Sequence, residues 1–506
     1  MLARVTTFAI DGIESRRVTV EVDIRQGLPA FNVVGLGDKA VREARERVRA
    51  AILNSGFAFP QARITANLAP AYLRKAGPGF DLAIAVGVLA AAGAIPPEAL
   101  TRWAVFGELS LGGQLRPCGG TLAVAEGAAR CGIPGLVVPE ERGPEAALVA
   151  GVDIAAAGSL AAVVRLLAQG EHPPPVDPPP GPEAGVAETD VDLADVRGHE
   201  HVTNGLIIAA AGGHNLLMSG SPGTGKTMLA RRLPTILPPL EHAEALEVTR
   251  IHSVAGLTPP SGLVAFRPFR APHHTISAPG LVGGGTVPVP GEASLAHLGV
   301  LFLDELSEFS RGALEALRQP LEDGRVAIVR SQRTAIYPTR FMLVAATNPC
   351  PCGYAGDDHQ RCSCTAADHA KHRRKLSGPL LDRIDVLLDV RRPSAEELAG
   401  AGSSTSSGDA RERVMAARER QLHRAGRCNG HLTATEIRRF AVPDERGARM
   451  LRRAYEDGHI SARGHHRVLR VARTIADLAG RDDVLGQDVA LALSLRHDHA
   501  VAREAA

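Results

Sequence analysis

"NLLMSGSPGTGKTML", Asn215 to Leu229, is the stretch from which the fold is read. An apolar run, Leu216-Leu217-Met218, leads into Gly220-Ser221-Pro222-Gly223-Thr224-Gly225-Lys226-Thr227, and a helix-like continuation follows. G-x-x-x-x-G-K-T between a strand and a helix is a P-loop. The glycines let backbone N–H groups close around phosphate oxygens at a helix N-terminus, where anions are favoured. Lys226 is placed to reach the β- and γ-phosphates, and the Thr227 hydroxyl to bind Mg²⁺. Gly220 to Thr227 are therefore the expected nucleotide-binding residues.

Further along lies "VLFLDE" (Val300–Glu305), a short buried strand ending in two carboxylates. Asp304 is expected to hold the Mg²⁺, and Glu305 to polarise the attacking water as a general base. "VAATNP" (Val344–Pro349) is a third such strand, and Asn348 at its end can orient that water or sense the γ-phosphate. Uninterrupted apolar runs flanked by helices read as buried parallel strands of an α/β fold. "SGPLLDRIDVLLDV" (Ser377–Val390) puts Arg383 after a turn. It is either a surface arginine paired with Asp382 or Asp385, or an arginine finger for a neighbouring subunit's γ-phosphate. In "SARGHHRVLRVA" (Ser461–Ala472), Arg463 is expected as the phosphate sensor in cis, with Arg467 one turn along as the alternative.

The 506 residues divide by composition. A Pro-rich spacer covers 171–187, and a Ser/Gly-rich break, read as a flexible linker, covers 393–410. They separate an α+β domain at 1–170, a central unit at 188–392 and an Arg-rich helical unit at 411–506. The net charge of +2 leaves any partner argument to local patches. The longest apolar run, Leu82–Ile95, is too short to cross a bilayer, and no basic-then-apolar leader opens the chain. A cytoplasmic protein without membrane association is expected.

"NPCPCGYAGDDHQRCSC" (Asn348–Cys364) concentrates four of the seven cysteines. Cys350, Cys352, Cys362 and Cys364 supply four thiolates, enough for a closed tetrahedral Zn²⁺ site. A cytosolic setting disfavours the disulfide alternative; ordinary reduced thiols, and redox or Fe–S roles, remain the other readings. His359 and His369 are taken as surface histidines.

In order, the P-loop, the Asp-Glu strand, "ATNP", "LLDRID" and "SARxxxRVLxVARTIADL" resemble the AAA+ ATPases of the magnesium-chelatase-like group, and most closely the ComM/YifB family. The resemblance spans nearly the whole chain. It implies a P-loop AAA+ core with a helical C-terminal lid, a homo-oligomeric ring, expected as a hexamer, and ATP sites between subunits. For the ComM branch it implies ATP-driven branch migration or helicase activity on DNA in recombination.

"RKAGPGFDLAIAVGVLAAAG" (Arg74–Gly93) and "FGELSLGGQLRPCGGTLAVAEGA" (Phe106–Ala128) are similar to the Lon-protease segments that carry the catalytic Ser and Lys. Those positions fall on Gly79 and near Leu122, so the resemblance implies a ribosomal-S5-like fold without proteolysis. Lys75 and Asp81, close by, are read as surface charges.

Two segments are candidates to enter a ring's pore. "LEDGRVAIVRSQRTAIYPTRF" (Leu321–Phe341) reads as a hairpin carrying Arg325, Arg330, Arg333 and Arg340. Arginines so spaced suit phosphates of branched or single-stranded DNA without base specificity, or else subunit-interface ion pairs. "FRPFRAPHHTISAPGLVGGG" (Phe266–Gly285) carries Arg267, Arg270, His273 and His274 on the same two readings. Two rival functions stand beside DNA remodelling: a metal-chelatase motor subunit, and an ATP-driven protein-remodelling scaffold.

Overall fold

The computed structural model describes residues 1–35, 39–73, 75–181, 191–285, 288–330, 333–357, 359–375, 378–399 and 405–496. The N-terminal part is a seven-stranded mixed sheet, in the order Ala30–Val34, Arg63–Ala69, Glu14–Arg25, Leu2–Asp11, Trp103–Val105, Gly135–Pro139, Asp153–Ala157. Leu2–Asp11 and Glu14–Arg25 form an antiparallel hairpin turned at Gly12, whose φ of +66° suits glycine. In the second of these strands Val18, Val20 and Val22 alternate inward. The apolar stretch noted above is a helix, Asp81–Ala91, buried on every side; with no polar face it can only be a core helix.

That burial corrects the reading of Lys75 and Asp81, which are both fully buried. The Lys75 ammonium donates to the Pro70 carbonyl. Asp81 opens the buried helix and accepts two bonds from Arg47, at 2.7 and 3.0 Å, and one from the Leu109 amide. Burial pushes the Asp81 carboxyl upward, and Arg47 pulls against it. Asp81→Ala is expected to lower stability by about 3 kcal/mol, the low end for breaking a buried ion pair. A denaturation midpoint equal to that of the parent would refute this.

The central unit is a five-stranded parallel sheet in the order Phe269–Arg270, Val300–Leu303, Met342–Thr347, Leu216–Ser219, Val386–Asp389. Val300–Leu303 and Met342–Thr347 are buried at every position, as expected of strands covered on both faces. Glu200–Gly212 and Lys226–Ile236 contribute to the core on one side, and Arg311–Ala316 to that on the other. Because every strand runs the same way, all their C-terminal ends meet at one edge.

From residue 407 onward the described residues form five α-helices: Ser407–Ala425, Ala434–Phe440, Glu445–Glu456, Ala462–Leu478 and Gly486–Ser494. The stretch 393–410 is not a flexible linker throughout. Ala395–Ala399 is helical, and Ser406 and Asp409 form a capping box that starts the next helix. The Ser407 hydroxyl is buried against Thr235 at 2.7 Å and accepts the Leu193 amide at 2.9 Å. Residues 400–404 and 182–190 lie outside the described residues. Among the described residues no helix is long and apolar enough to cross a membrane.

Candidate active site

The C-terminal edge of the parallel sheet brings together five of the expected side chains. Gly223 and Gly225 hold the P-loop at φ +78° and +90°. Lys226 is buried, and its Nζ donates to the carbonyls of Gly220 (2.7 Å) and Ser221 (2.9 Å) and to Asn348 Oδ1 (3.2 Å). Burial lowers the Lys226 pKa, while Asp304 and Glu305 pull it back up. Thr227 Oγ1 donates to Asp304 Oδ2 at 2.6 Å. A hydroxyl and a carboxylate oxygen side by side next to a phosphate-binding loop are the hard donors that Mg²⁺ takes.

Glu305 sits at φ +51°, uncommon for a residue with a side chain. Such a conformation costs of order 1–3 kcal/mol and clusters at functional sites. It turns the carboxylate toward solvent, with 55% of the side chain exposed and Oε2 3.3 Å from His274 Nδ1.

His274 comes from the segment Phe266–Gly285, whose arginines are structural. Arg267 bonds the Pro238, Pro239 and Leu298 carbonyls and Glu244, and Arg270 grips Glu292 with two bonds. These pairs lie within one chain, which differs from both the DNA-phosphate and the subunit-interface readings of the segment.

The three arginines expected around the γ-phosphate lie together, but at the opposite edge. The Arg383 carbonyl accepts from Asn215 Nδ2 at 2.9 Å, and Asn215 precedes the P-loop strand. The Arg383 guanidinium rests on Glu322, with Arg318, Arg463 and Arg467 close enough to repel it. Arg463 is 72% exposed and 3.9 Å from Asp382. Arg467 is 11% exposed and 3.7 Å from Asp385, a buried carboxylate that also faces His214 and accepts the Asn215 amide. Neither Arg463 nor Arg467 is brought to its own P-loop, so the cis-sensor expectation is corrected. Helix Ala462–Leu478 starts beside the strand beginnings, and a one-turn shift along it leaves either arginine on that side.

The four cysteines converge: all four Sγ atoms lie within 4.8 Å of one another. Cys350 is 3.3 Å from Cys352 and 3.7 Å from Cys362, and Cys352 is 3.5 Å from Cys362. His369, read as a surface histidine, stands 3.6 Å from Cys362 Sγ. Residues that the sequence did not single out tie this loop to the nucleotide site. His372 of helix Ala366–Lys375 is buried with a ring nitrogen 2.9 Å from the Asn348 carbonyl, and Ser221 is near enough to Asp357 to hold its carboxyl below the usual range. No spacing rule marks either one; both contacts depend on how the loop folds back.

In the N-terminal domain the two positions to which the protease resemblance pointed are closely packed. Leu122 is fully buried, and a Cβ at Gly79 would lie 2.5 Å from the Phe106 ring.

The hairpin forms as Arg325–Arg330 paired with Arg333–Pro338. Val326, Ile328, Ala335 and Tyr337 point inward with Ile13 of the N-terminal domain, and Tyr337 donates to the Pro288 carbonyl. Arg325 is exposed, and Arg340 is exposed with an ion pair to Glu247 at 2.9 Å. The side chains of Arg330 and Arg333 lie outside the described residues; backbone register sets the two positions opposite each other. A separate cavity of about 760 Å³, lined by His201, Asn204, Asp389 and Arg413 among others, takes none of its lining from the P-loop.

Family models match three parts of the chain: subunit ChlI of Mg-chelatase over residues 20–142, magnesium chelatase, subunit ChlI, over 192–398, and its C-terminal part over 404–496. Among similar proteins, an uncharacterized protein of Mycobacterium tuberculosis is 44% identical, with 98% of each chain covered. YifB of Escherichia coli is 42% identical, covering 98% of this chain and 97% of its own. Competence protein ComM of Haemophilus influenzae is also 42% identical, with the same coverage.

Proposed function

We propose that this chain, which belongs to the magnesium-chelatase-like family of YifB and ComM, is a ring-forming AAA+ ATPase that remodels DNA. Its membership supports a magnesium-chelatase-like AAA+ ATPase with ATP and Mg²⁺ as cofactors. The observation that carries the catalytic part is the meeting of Lys226, Thr227, Asp304, Glu305 and Asn348 at one sheet edge. Lys226 and the P-loop amides would hold the phosphates, Thr227 and Asp304 the Mg²⁺, and Glu305 would take the proton of a water aligned by Asn348. Bound Mg²⁺ would supply charge neutralisation on the β- and γ-phosphates.

Arg383 and Arg463 stand at the far edge, which supports sites shared between neighbouring subunits of a hexameric ring. The four thiols support a structural Zn²⁺, because a closed four-sulfur set is its usual site.

The DNA reading rests on exposed Arg325 and Arg340 on and beside the hairpin, and on a competence protein among the relatives. Branch migration or helicase action in recombination or transformation is the activity proposed. One observation weakens the protein-remodelling rival: Tyr337 is buried and hydrogen-bonded, so it offers no aromatic grip for a protein-remodelling pore.

The test is ATP hydrolysis without DNA and with single-stranded, duplex and four-way-junction DNA. Stimulation is expected, greatest on the junction. Arg325→Ala with Arg340→Ala should weaken DNA binding evenly across sequences and lower the salt slope by about one for each arginine taken off a phosphate. A hydrolysis rate indifferent to every DNA would sink the DNA reading and leave the ATPase intact.

A further inference from the structure

The loop between the two C-x-C pairs lies on the nucleotide site, and its contacts there involve residues other than the cysteines. The first pair, Cys350 and Cys352, leaves the sensor strand directly after Asn348. The second pair, Cys362 and Cys364, leads into helix Ala366–Lys375, which returns to Asn348 through His372. Gly353 runs at φ +90° with its backbone against the P-loop; a Cβ there would come within 2.7 Å of Pro222 Cδ and Cγ. Asp357 accepts the amides of His359 and Gln360, both at 2.9 Å, and lies close enough to Ser221 for that side chain to hold its carboxyl below the usual range. The loop thus meets the P-loop at Ser221 and Pro222 and the sensor residue at its backbone.

The sulfur geometry suits a tetrahedral metal. Zn–S bonds of about 2.3 Å place the corners of a tetrahedron about 3.8 Å apart. Three of the sulfur separations here are 3.3, 3.5 and 3.7 Å, and none of the four cysteines is in a disulfide. The Cys352 amide points at Cys364 Sγ and the Cys364 amide at Cys362 Sγ, both at 3.4 Å; such donors stabilise thiolate ligands.

We infer that the four-cysteine centre binds Zn²⁺ and thereby builds one wall of the ATP site, so that metal loss loosens nucleotide binding. The inference rests on the zinc reading above and adds to it a named mechanical route. The metal fixes Cys350, Cys352, Cys362 and Cys364 relative to one another. The intervening loop then has one shape, and through Gly353 and Asp357 that shape holds Ser221-Pro222 where the phosphates pass. Through His372 it also holds the end of the strand that aims Asn348 at Lys226.

The test uses the full-length chain. Zinc is counted by inductively coupled plasma mass spectrometry, and a fluorescent ADP analogue is titrated into four proteins: zinc-loaded parent, chelator-stripped parent, the Cys352→Ser/Cys362→Ser double variant, and Asp357→Ala. About one zinc per chain is expected in the parent and in Asp357→Ala, as four thiolates close one site. Stripped and double-variant proteins should lose the zinc and bind the analogue about tenfold more weakly, equal to about 1.4 kcal/mol. Asp357→Ala should keep its zinc and still bind several-fold more weakly. A parent that neither carries nor takes up zinc overturns the zinc reading and the inference with it. A parent that holds zinc, but binds the analogue equally well once stripped, overturns the inference alone. Should the stripped forms lose their circular-dichroism signature, zinc-loaded Asp357→Ala decides: parental affinity there overturns the inference.

Discussion

Glu305→Gln is expected to cut ATP hydrolysis by about 10²- to 10⁴-fold, the usual worth of a positioned general base, while ATP stays bound. The substitution keeps shape and removes only the ability to accept a proton. The groups proposed to hold the nucleotide are separate from it: Lys226 on the P-loop carbonyls and Asn348, and Thr227 on Asp304. Glu305 follows Asp304 but turns away from it through its left-handed backbone, and its carboxylate faces solvent and His274. The proposed division of labour, one carboxylate for the metal and its neighbour for water, predicts a split between binding and turnover. Single-turnover hydrolysis and nucleotide affinity measured on the same preparation check it. A rate within a few-fold of the parent would place the base elsewhere.

Arg383→Ala should be as severe or worse, about 10³- to 10⁵-fold in turnover, if it is an arginine finger. The geometry adds a sharper expectation. The Arg383 backbone is tied to Asn215 at the start of the P-loop strand. Gly220 lies five residue steps beyond Asn215, about 16 Å at 3.3 Å per step. A single side chain does not bridge that distance around the sheet, so an arginine finger at this position would serve a neighbour's site, whereas the ion pair with Glu322 is what the single chain shows. Mixing Arg383→Ala chains with Lys226→Ala chains should therefore restore activity, although each alone is inactive. In a ring with head-to-tail interfaces, about a quarter of the sites would pair an intact Lys226 with an intact Arg383, one half times one half. Absence of any recovery in rings shown to be mixed would refute action in trans.

Arg463 and Arg467 show where sequence reading stops. Their helix is legible from its three- and four-residue periodicity, and it forms as Ala462–Leu478. Which nucleotide they could serve is not legible, because that depends on where the helix docks. Its start stands beside Asp382 and Asp385, on the side of the sheet away from the P-loop. The same holds for Asp81 and Lys75. Charge in a sequence suggests a surface, and only packing reveals that a helix buried on all sides carries Asp81 in its first turn, with Arg47 supplied from another helix. The break at 393–410 reads as flexible because it is rich in Ser and Gly, whereas Ser406-x-x-Asp409 is also a helix-starting signal.

The sequence alone determined what depends on neighbours along the chain. The P-loop is a spacing of glycines, a lysine and a threonine within eight residues, and its chemistry is done by adjacent backbone amides. Short apolar runs declared the buried parallel strands, and the direction of such strands puts Asp304, Glu305 and Asn348 at the edge that carries Lys226. Tertiary structure decided everything that depends on residues far apart in the chain. It set the arginine row at the opposite edge, turned His274 onto Glu305, and pressed the cysteine loop against Ser221 and Pro222. These contacts join segments tens to hundreds of residues apart; their energies come from burial and hydrogen-bond geometry that no local spacing encodes.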